Sequence, residues 1–542
     1  MGTNFGANAA NNCRPINRND ALTPNVTAAR RRAKPSAGKS EITSPRARDG
    51  ADRAEALIQK RSYAAAMRLL RAATYKKRTF PETRLKLARC QFHLGDVSSA
   101  LKGLRRVATA SAGLRRAALE KLAVYCPGSP NLDNAGILKE RRRWARLAER
   151  AEGRGHCAPI SKPTRGRRLR IGYVSAFFAD RNWMKPVWGM LDAHNRQDFE
   201  IHLFLDGGLP EKQYGYAPHD GDHVHALDKT TNAEAAQLIS KEQLDILVDL
   251  NGFSYPRRLG VFMRKPAPAQ VGWFNTFATS GMKAFDFAIG DDVVLPREEE
   301  GFYTERILRV RGSYLAFSVK YPVPDVVDPP SAESKGITFG CLAPQYKIVP
   351  DMIGAFAEIL CAAPGARLLL KNTCLTDPRN RAIVRDLFGR RGISRRQLVC
   401  EGPVEHFEFL KTYDRIDIAL DTIPYSGGTT TMEALWQGVP VLTFPGDRWV
   451  SRISSSLLRA ARLHEWICES RKKYVRHAIE LAKGSDTPAQ LAVLRRSMRK
   501  RLTAAPICDL AGAGRSRRAH PVRFWRRNSR VRCHERASAS GW

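Results

Sequence analysis

Residues 421–441 run Asp-Thr-Ile-Pro-Tyr-Ser-Gly-Gly-Thr-Thr-Thr-Met-Glu-Ala-Leu-Trp-Gln-Gly-Val-Pro-Val, a succession that predicts a strand, a loop, a helix and a second strand. Gly427 and Gly428 remove side chains where the chain must bend. Thr429, Thr430 and Thr431 then open a helix whose first amides lack intrahelical partners and carry the positive end of the dipole. A phosphate fits such an end. Thr430 and Glu433 also stand at capping-box spacing, which would suit a well-capped helix with no ligand.

Two further groups of residues carry possible chemistry. Lys347 follows an apolar run over Gly336 to Leu342, where an ammonium could neutralise a departing diphosphate. The segment His219-Asp220-Gly221-Asp222-His223-Val224-His225 offers three imidazoles and two carboxylates, a set able to ligate a divalent ion but equally at home, solvated, on a surface loop. Asp222 or His223 could alternatively accept a proton.

The elements that must position these residues alternate between short apolar runs and helical stretches. Strands are predicted over Arg170 to Ser175, Glu200 to Leu205, Asp245 to Leu250 and Ala269 to Trp273, with a helix over Asn232 to Glu242. After the proline-rich linker Tyr321 to Pro330 the alternation resumes, with strands over Ile337 to Leu342, Arg367 to Lys371, Leu398 to Cys400, Ile416 to Leu420 and Val439 to Phe444. Two doubly wound parallel sheets, over residues 166–320 and 331–505, make a cleft, and such sheets bind ligands outside the carboxyl ends of their strands. Ahead of them, residues 51–155 show helical spacing and a 34-residue echo: Tyr63 with Val97, Ala66 with Ala100, Met67 with Leu101, Leu70 with Leu104. That period matches the tetratricopeptide repeat, although about one and a half copies are legible. Leu114 to Ala151 continue as charged helix and connector, and Cys157 to Arg168 form a hinge.

The chain carries 90 Lys plus Arg against 53 Asp plus Glu, a formal charge of +37, but nine arginines fall between Arg515 and Arg536 with a single acid, Glu535. Part of the excess therefore belongs to the ends. Residues 1–50 and 510–542 lack apolar periodicity and are expected to be tails, the second a possible polyanion contact. Eleven scattered cysteines contain no Cys-x-x-Cys pair and, with no apolar run long enough to span a bilayer and no secretion signal, point to a cytoplasmic protein.

Several stretches resemble the catalytic region of O-linked N-acetylglucosamine transferases and their SPINDLY relatives: Ile171-Gly-Tyr-Val-Ser, Asp245-Ile-Leu-Val-Asp-Leu-Asn-Gly, Pro266-Ala-Pro-Ala-Gln-Val-Gly-Trp, Thr279-Ser-Gly, Leu295-Pro with Glu298-Glu-Glu-Gly-Phe-Tyr, Asp421-Thr with Pro424-Tyr425, and Pro445-Gly446 with Ser451-Arg452. The resemblance implies an α/β, GT-B type architecture of two Rossmann-like lobes preceded by a helical repeat arm. It implies inverting transfer of N-acetylglucosamine from UDP-GlcNAc to Ser or Thr hydroxyls of proteins held by the arm, with no essential metal or other cofactor. Lys347 would then contact the donor diphosphate, Gly427, Gly428, Thr429 and Thr430 would bind phosphate, and Glu433 would face the ribose.

The chain also departs from that pattern. Gly428 and Arg181 stand where the N-acetylglucosamine transferases carry histidines, and Phe274-Asn-Thr-Phe-Ala278 replaces glycine-rich text near the donor sugar. The Gly-Thr-Thr-Thr and Glu433 combination is closer to SPINDLY, which leaves fucosyl transfer from a GDP sugar as an alternative, beside a non-catalytic scaffold. Asp245, Asp249 and the 219–225 segment are the candidates for a base.

Overall fold

Small side chains at helical spacing set the architecture of the amino-terminal part, because buried alanines let paired helices approach closely. In the computed structural model, which describes residues 45–74, 80–153, 167–179, 185–209, 217–334 and 336–510, six helices form an arm: α1 (Pro45–Gln59), α2 (Tyr63–Thr74), α3 (Pro81–His93), α4 (Val97–Ala110), α5 (Arg115–Tyr125) and α6 (Asn134–Glu152). The 34-residue echo is structural, since Tyr63 and Val97 begin α2 and α4, and Ala66, Ala100 and Leu104 are fully buried. Asp96 and Asp133 cap α4 and α6, accepting from the amides of Ser99 and Gly136. The segment expected to be charged helix and connector is instead a third hairpin, α5 with α6, and the first helix starts at Pro45 rather than beyond residue 50. Residues 1–44 and 511–542, most of the expected hinge, and Arg181 lie outside the described residues.

Near-continuous apolar runs make strands that are covered on both faces, as parallel sheets require. The first lobe contains β1 (Leu169–Ser175), β2 (Phe199–Leu205), β3 (His223–Ala226), β4 (Ile246–Asp249), β5 (Ala269–Gly272), β6 (Phe287–Gly290) and β7 (Arg306–Arg309), in the order β3-β2-β1-β4-β5-β6-β7. Helices α7 (Lys185–Asp192), α8 (Asn232–Lys241) and α9 (Leu259–Met263) connect them. Strands β3, β6 and β7 were not among those expected; they are edge or near-edge strands of four residues, too short for a clear period.

The second lobe has β8 (Thr338–Cys341), β9 (Arg367–Lys371), β10 (Leu398–Glu401), β11 (Ile418–Leu420) and β12 (Val441–Leu442), in the order β10-β9-β8-β11-β12. Its helices are α10 (Pro350–Ala362), α11 (Pro378–Gly389), α12 (His406–Lys411), α13 (Thr429–Trp436), α14 (Ile453–Ala460), α15 (Arg471–Lys483) and α16 (Thr487–Thr503). Every described strand pair is parallel. The winding reverses between β8 and β11, so the loops leaving their carboxyl ends diverge and open a crevice. Lys347 lies beyond the end of β8, and Gly427 beyond the end of β11.

The three parts are tied together by buried polar contacts. Between the lobes, Arg452 grips both oxygens of Glu299 at 3.0 and 2.6 Å, and Ser456 donates to Asp291 at 2.7 Å. From the arm, the buried Arg141 guanidinium donates to the carbonyls of Thr276, Ala278 and Thr279 in the first lobe. Arg448 of the second lobe donates back to the carbonyl of Ser129 at 2.9 Å.

Candidate donor-binding site

Two loops build the site. After β8, Pro344 leads into a single tight turn, Gln345–Lys347, before Pro350 starts α10. The amine of Lys347 donates to the main-chain oxygen of Ser426 at 2.9 Å and lies 4.1 Å from the centre of the Tyr425 ring. Burial lowers its pKa to about 8, against the pull of Asp421 and Cys341 in the other direction.

After β11, Asp421 organises the glycine turn. One of its carboxylate oxygens accepts from the amide of Gly427 at 2.7 Å and the other from the Thr443 hydroxyl at 2.7 Å. Burial raises the Asp421 pKa, opposed by these hydrogen bonds. Ser426 is anchored to the carbonyl of Val450 through both its amide and its hydroxyl. A side chain at 427 has no room, because a Cβ there would lie 2.3 Å from the Thr431 hydroxyl.

Gly428 is the residue preceding α13, and no side chain caps that helix. Thr429 and Thr430 are half-buried at its first positions, while Thr431 is buried on the Ser454 hydroxyl at 2.9 Å. The capping-box alternative is thus overturned. Glu433 turns the other way and meets the His406 ring nitrogen at 2.9 Å, beside Tyr321 and Tyr413. The first-turn amides of α13 remain directed out of the strand edge with their dipole unopposed by any cap.

The structure therefore brings Lys347, Gly427, Gly428, Thr429 and Thr430 to one crevice, with Glu433 one turn further along α13. Sequence reasoning missed three contributors. Asp421 had a local signal, an acid at the end of an apolar strand before two glycines. Tyr425 stood in the Pro424-Tyr425 pattern without a role, and His406 had no local signal, because its partner Glu433 is 27 positions away. Tyr425 is a meeting point of all three parts: Phe277 of the first lobe meets its ring edge-on at 5.7 Å, Tyr346 does so at 5.8 Å, and Gly128 of the arm lies against it. Tyr346 in turn stacks on Phe92 of α3 at 4.8 Å. The departing segment Phe274 to Ala278 thus reaches the site through Phe277, whose φ of +52° turns the chain sharply.

The 219–225 segment does not by itself form the ligand set read from its spacing, although His223 groups with Glu200 and His202, and His225 with His202 and Glu242, closely enough to hold a cation. Asp222 is held by Arg196 at 3.1 and 2.9 Å and His219 by Asp192 at 3.1 Å. His223 and His225 are on strand β3, not a loop, and face His202 and Glu200 of β2. Asp245 is committed to the Arg167 guanidinium, 2.8 Å from each carboxylate oxygen, and to the amide of Arg170. Asp249 is buried, with its pKa raised to about 7 by desolvation, and accepts from the amides of Asn251 and Gly252.

A crevice at the switch point of the second of two parallel lobes is a feature of many nucleotide-dependent enzymes, and comparison with known families narrows the choice. The profile of glycosyl transferase family 41 matches residues 155–320 and 331–511. The chain belongs to that family. Within family 41 it is 28% identical over 380 residues to a protein of Oryza sativa named as a probable UDP-N-acetylglucosamine–peptide N-acetylglucosaminyltransferase SPINDLY, matching 67% of this chain and 39% of the relative. A Petunia hybrida protein of the same name is 30% identical over 370 residues, with the same two shares. The chain thus spans about two fifths of the length of these curated relatives. Among solved structures, a mutant O-GlcNAc transferase of Thermobaculum terrenum superposes with a TM-score of 0.74 at 29% identity, over 83% of this chain and 86% of that one. The GT-B type fold expected from the sequence is the fold observed. Among the described residues no helix is long and apolar enough to cross a membrane, and the cysteines are free thiols.

Proposed function

We propose that this family 41 chain is an inverting glycosyltransferase that moves N-acetylglucosamine from UDP-GlcNAc to Ser or Thr hydroxyls of proteins. One observation carries the reading: the Lys347 amine rests on the same glycine turn that leads into the uncapped start of α13. A diphosphate bound there meets an ammonium and a set of preplaced amides. The acceptor oxygen attacks the anomeric carbon, the bond to the diphosphate breaks, its electron pair leaves with the nucleotide, and the hydroxyl proton passes to a leaving-group phosphate oxygen or to water. Because these groups are already oriented, charge developing on the leaving diphosphate is stabilised with little reorganisation.

Fixed cationic and dipolar groups do here what a divalent ion does elsewhere, so transfer should not need a metal. Glu433 is the group assigned to the ribose, and its carboxylate would have to turn from His406 to reach it. The relatives' names supply the donor and the acceptor class. Calorimetry with UDP-GlcNAc, UDP and GDP-fucose in the presence of EDTA, followed by mass spectrometry of a peptide acceptor, tests the reading. Binding of UDP and its sugar with a matching mass increment on the peptide is expected. Preference for the GDP donor would instead assign fucosyl transfer, which the Gly-Thr-Thr-Thr turn favours by its likeness to SPINDLY.

A further inference from the structure

A cleft of about 360 Å³ opens on the arm, away from Lys347, between the end of α4, the start of α5 and the second half of α6. Arg115, Arg143, Arg146 and Arg150 line it, together with Leu119 and Leu147. Arg143, Arg146 and Arg150 are spaced by three and four residues and so share one face of α6. Among the described residues none of the four is in an ion pair. Two of the three acids of α6 are engaged elsewhere, Glu140 with Arg105 at 2.7 Å and Glu152 with Arg116 and Arg264, and among the described residues Glu149 forms no ion pair with any of the four. Arg115 also begins α5 without a side-chain cap, adding the positive end of that helix.

Four like charges around one concavity repel one another, and an anion removes that repulsion. Guanidinium forks match carboxylates in a two-pronged geometry. The two leucines give the cleft an apolar component that a free inorganic anion would not use. No aromatic side chain lines it, so a nucleic acid base would have nothing to stack on. We propose that this cleft docks an acidic stretch of the acceptor protein, with Asp and Glu carboxylates on the four arginines and neighbouring apolar side chains on Leu119 and Leu147. The inference rests on the transferase reading in calling the partner an acceptor. The arm thereby selects acceptors by a charged segment remote from the modified hydroxyl.

The test uses the full chain and a fluorescein-labelled Glu-rich peptide, read by polarisation. Saturable binding that weakens with salt is expected. The double variant Arg143→Glu with Arg146→Glu should bind at least about tenfold more weakly, from the loss of charge-assisted contacts. The charge-matched pair Arg395→Glu with Arg396→Glu, exposed on the second lobe, should leave binding unchanged. Equal loss in both pairs, no peptide binding, or tighter binding of single-stranded DNA through the same arm arginines overturns the proposal. With an acceptor carrying an acidic tag, the arm variant should raise KM and keep kcat, and an untagged acceptor should show no difference. If no nucleotide sugar binds, yet the peptide still depends on Arg143 and Arg146, the docking surface stands as part of a scaffold and the transferase reading falls.

Discussion

The Lys347 amine and the Ser426 carbonyl, 79 positions apart in the chain, are in hydrogen-bond contact at 2.9 Å. The cation beyond β8 and the glycine turn beyond β11 therefore meet at one point. Lys347→Ala should lower sugar transfer about a hundredfold, the usual effect of deleting one preplaced contact to developing charge. Thermal unfolding should shift little, because the native state no longer holds a desolvated ammonium. Full activity in a folded variant sinks the mechanism.

The same lysine makes activity and stability respond to pH in opposite directions. Its folded pKa, about 8, lies below its ordinary 10.5, so the unfolded chain binds this proton more readily between those values. The site's contribution to stability should rise with pH across that window and be flat on either side. Activity, which needs the ammonium, should fall through a limb in kcat/KM near pH 8. Lys121 of α5, also lowered to about 8 by burial, shares the stability window. The assignment is therefore read from the difference between wild type and Lys347→Met; identical profiles would count against it.

Gly427→Ala brings a methyl group to within 2.3 Å of the Thr431 hydroxyl in the present backbone. The turn must open or Thr431 must leave Ser454, and either movement displaces the first amides of α13. Calorimetry should show donor binding weakened by about tenfold or more, equivalent to losing one charge-assisted hydrogen bond. Unchanged affinity would place the diphosphate elsewhere.

Phe92→Ala removes a ring packed between Tyr125 of the arm and Tyr346, the neighbour of Lys347. A loss of about 3 to 5 kcal/mol in stability is expected for a buried phenylalanine. Turnover measured well below the melting transition should also drop, since the turn holding Lys347 loses its outer wall. Phe92→Leu should recover most of both. A variant that is destabilised but turns over normally would show that the stack serves folding alone.

Much of the architecture was readable because it is local. The apolar runs at 170–175, 200–205 and 367–371 and the 34-residue spacing of Tyr63 and Val97 reflect burial that repeats along the chain. The glycine turn and Lys347 were legible for the same reason, each being a short pattern at a strand end. Thr430 and Glu433 misled, because capping-box spacing is silent about His406, which lies across the lobe and draws Glu433 away. Short β3 looked like a metal loop, since its two histidines alternate with Val224 and Ala226 over only four residues, too few to mark a strand, and its pairing partner β2 is remote. Contacts such as Phe92 with Tyr346 arise only when the arm folds back on the second lobe.

That folding back affects how the molecule can breathe. Arg141 fastens the arm to the first lobe, while Arg448 and the Phe92 stack fasten it to the second. Two jaws joined by a strut cannot gape by swinging about their linker alone, since any wide opening would tear buried guanidiniums from their carbonyls. On the proposed transferase reading, spent nucleotide would leave through small local displacements around Tyr425, and the cadence of turnover would belong to that aromatic junction rather than to whole-jaw motion.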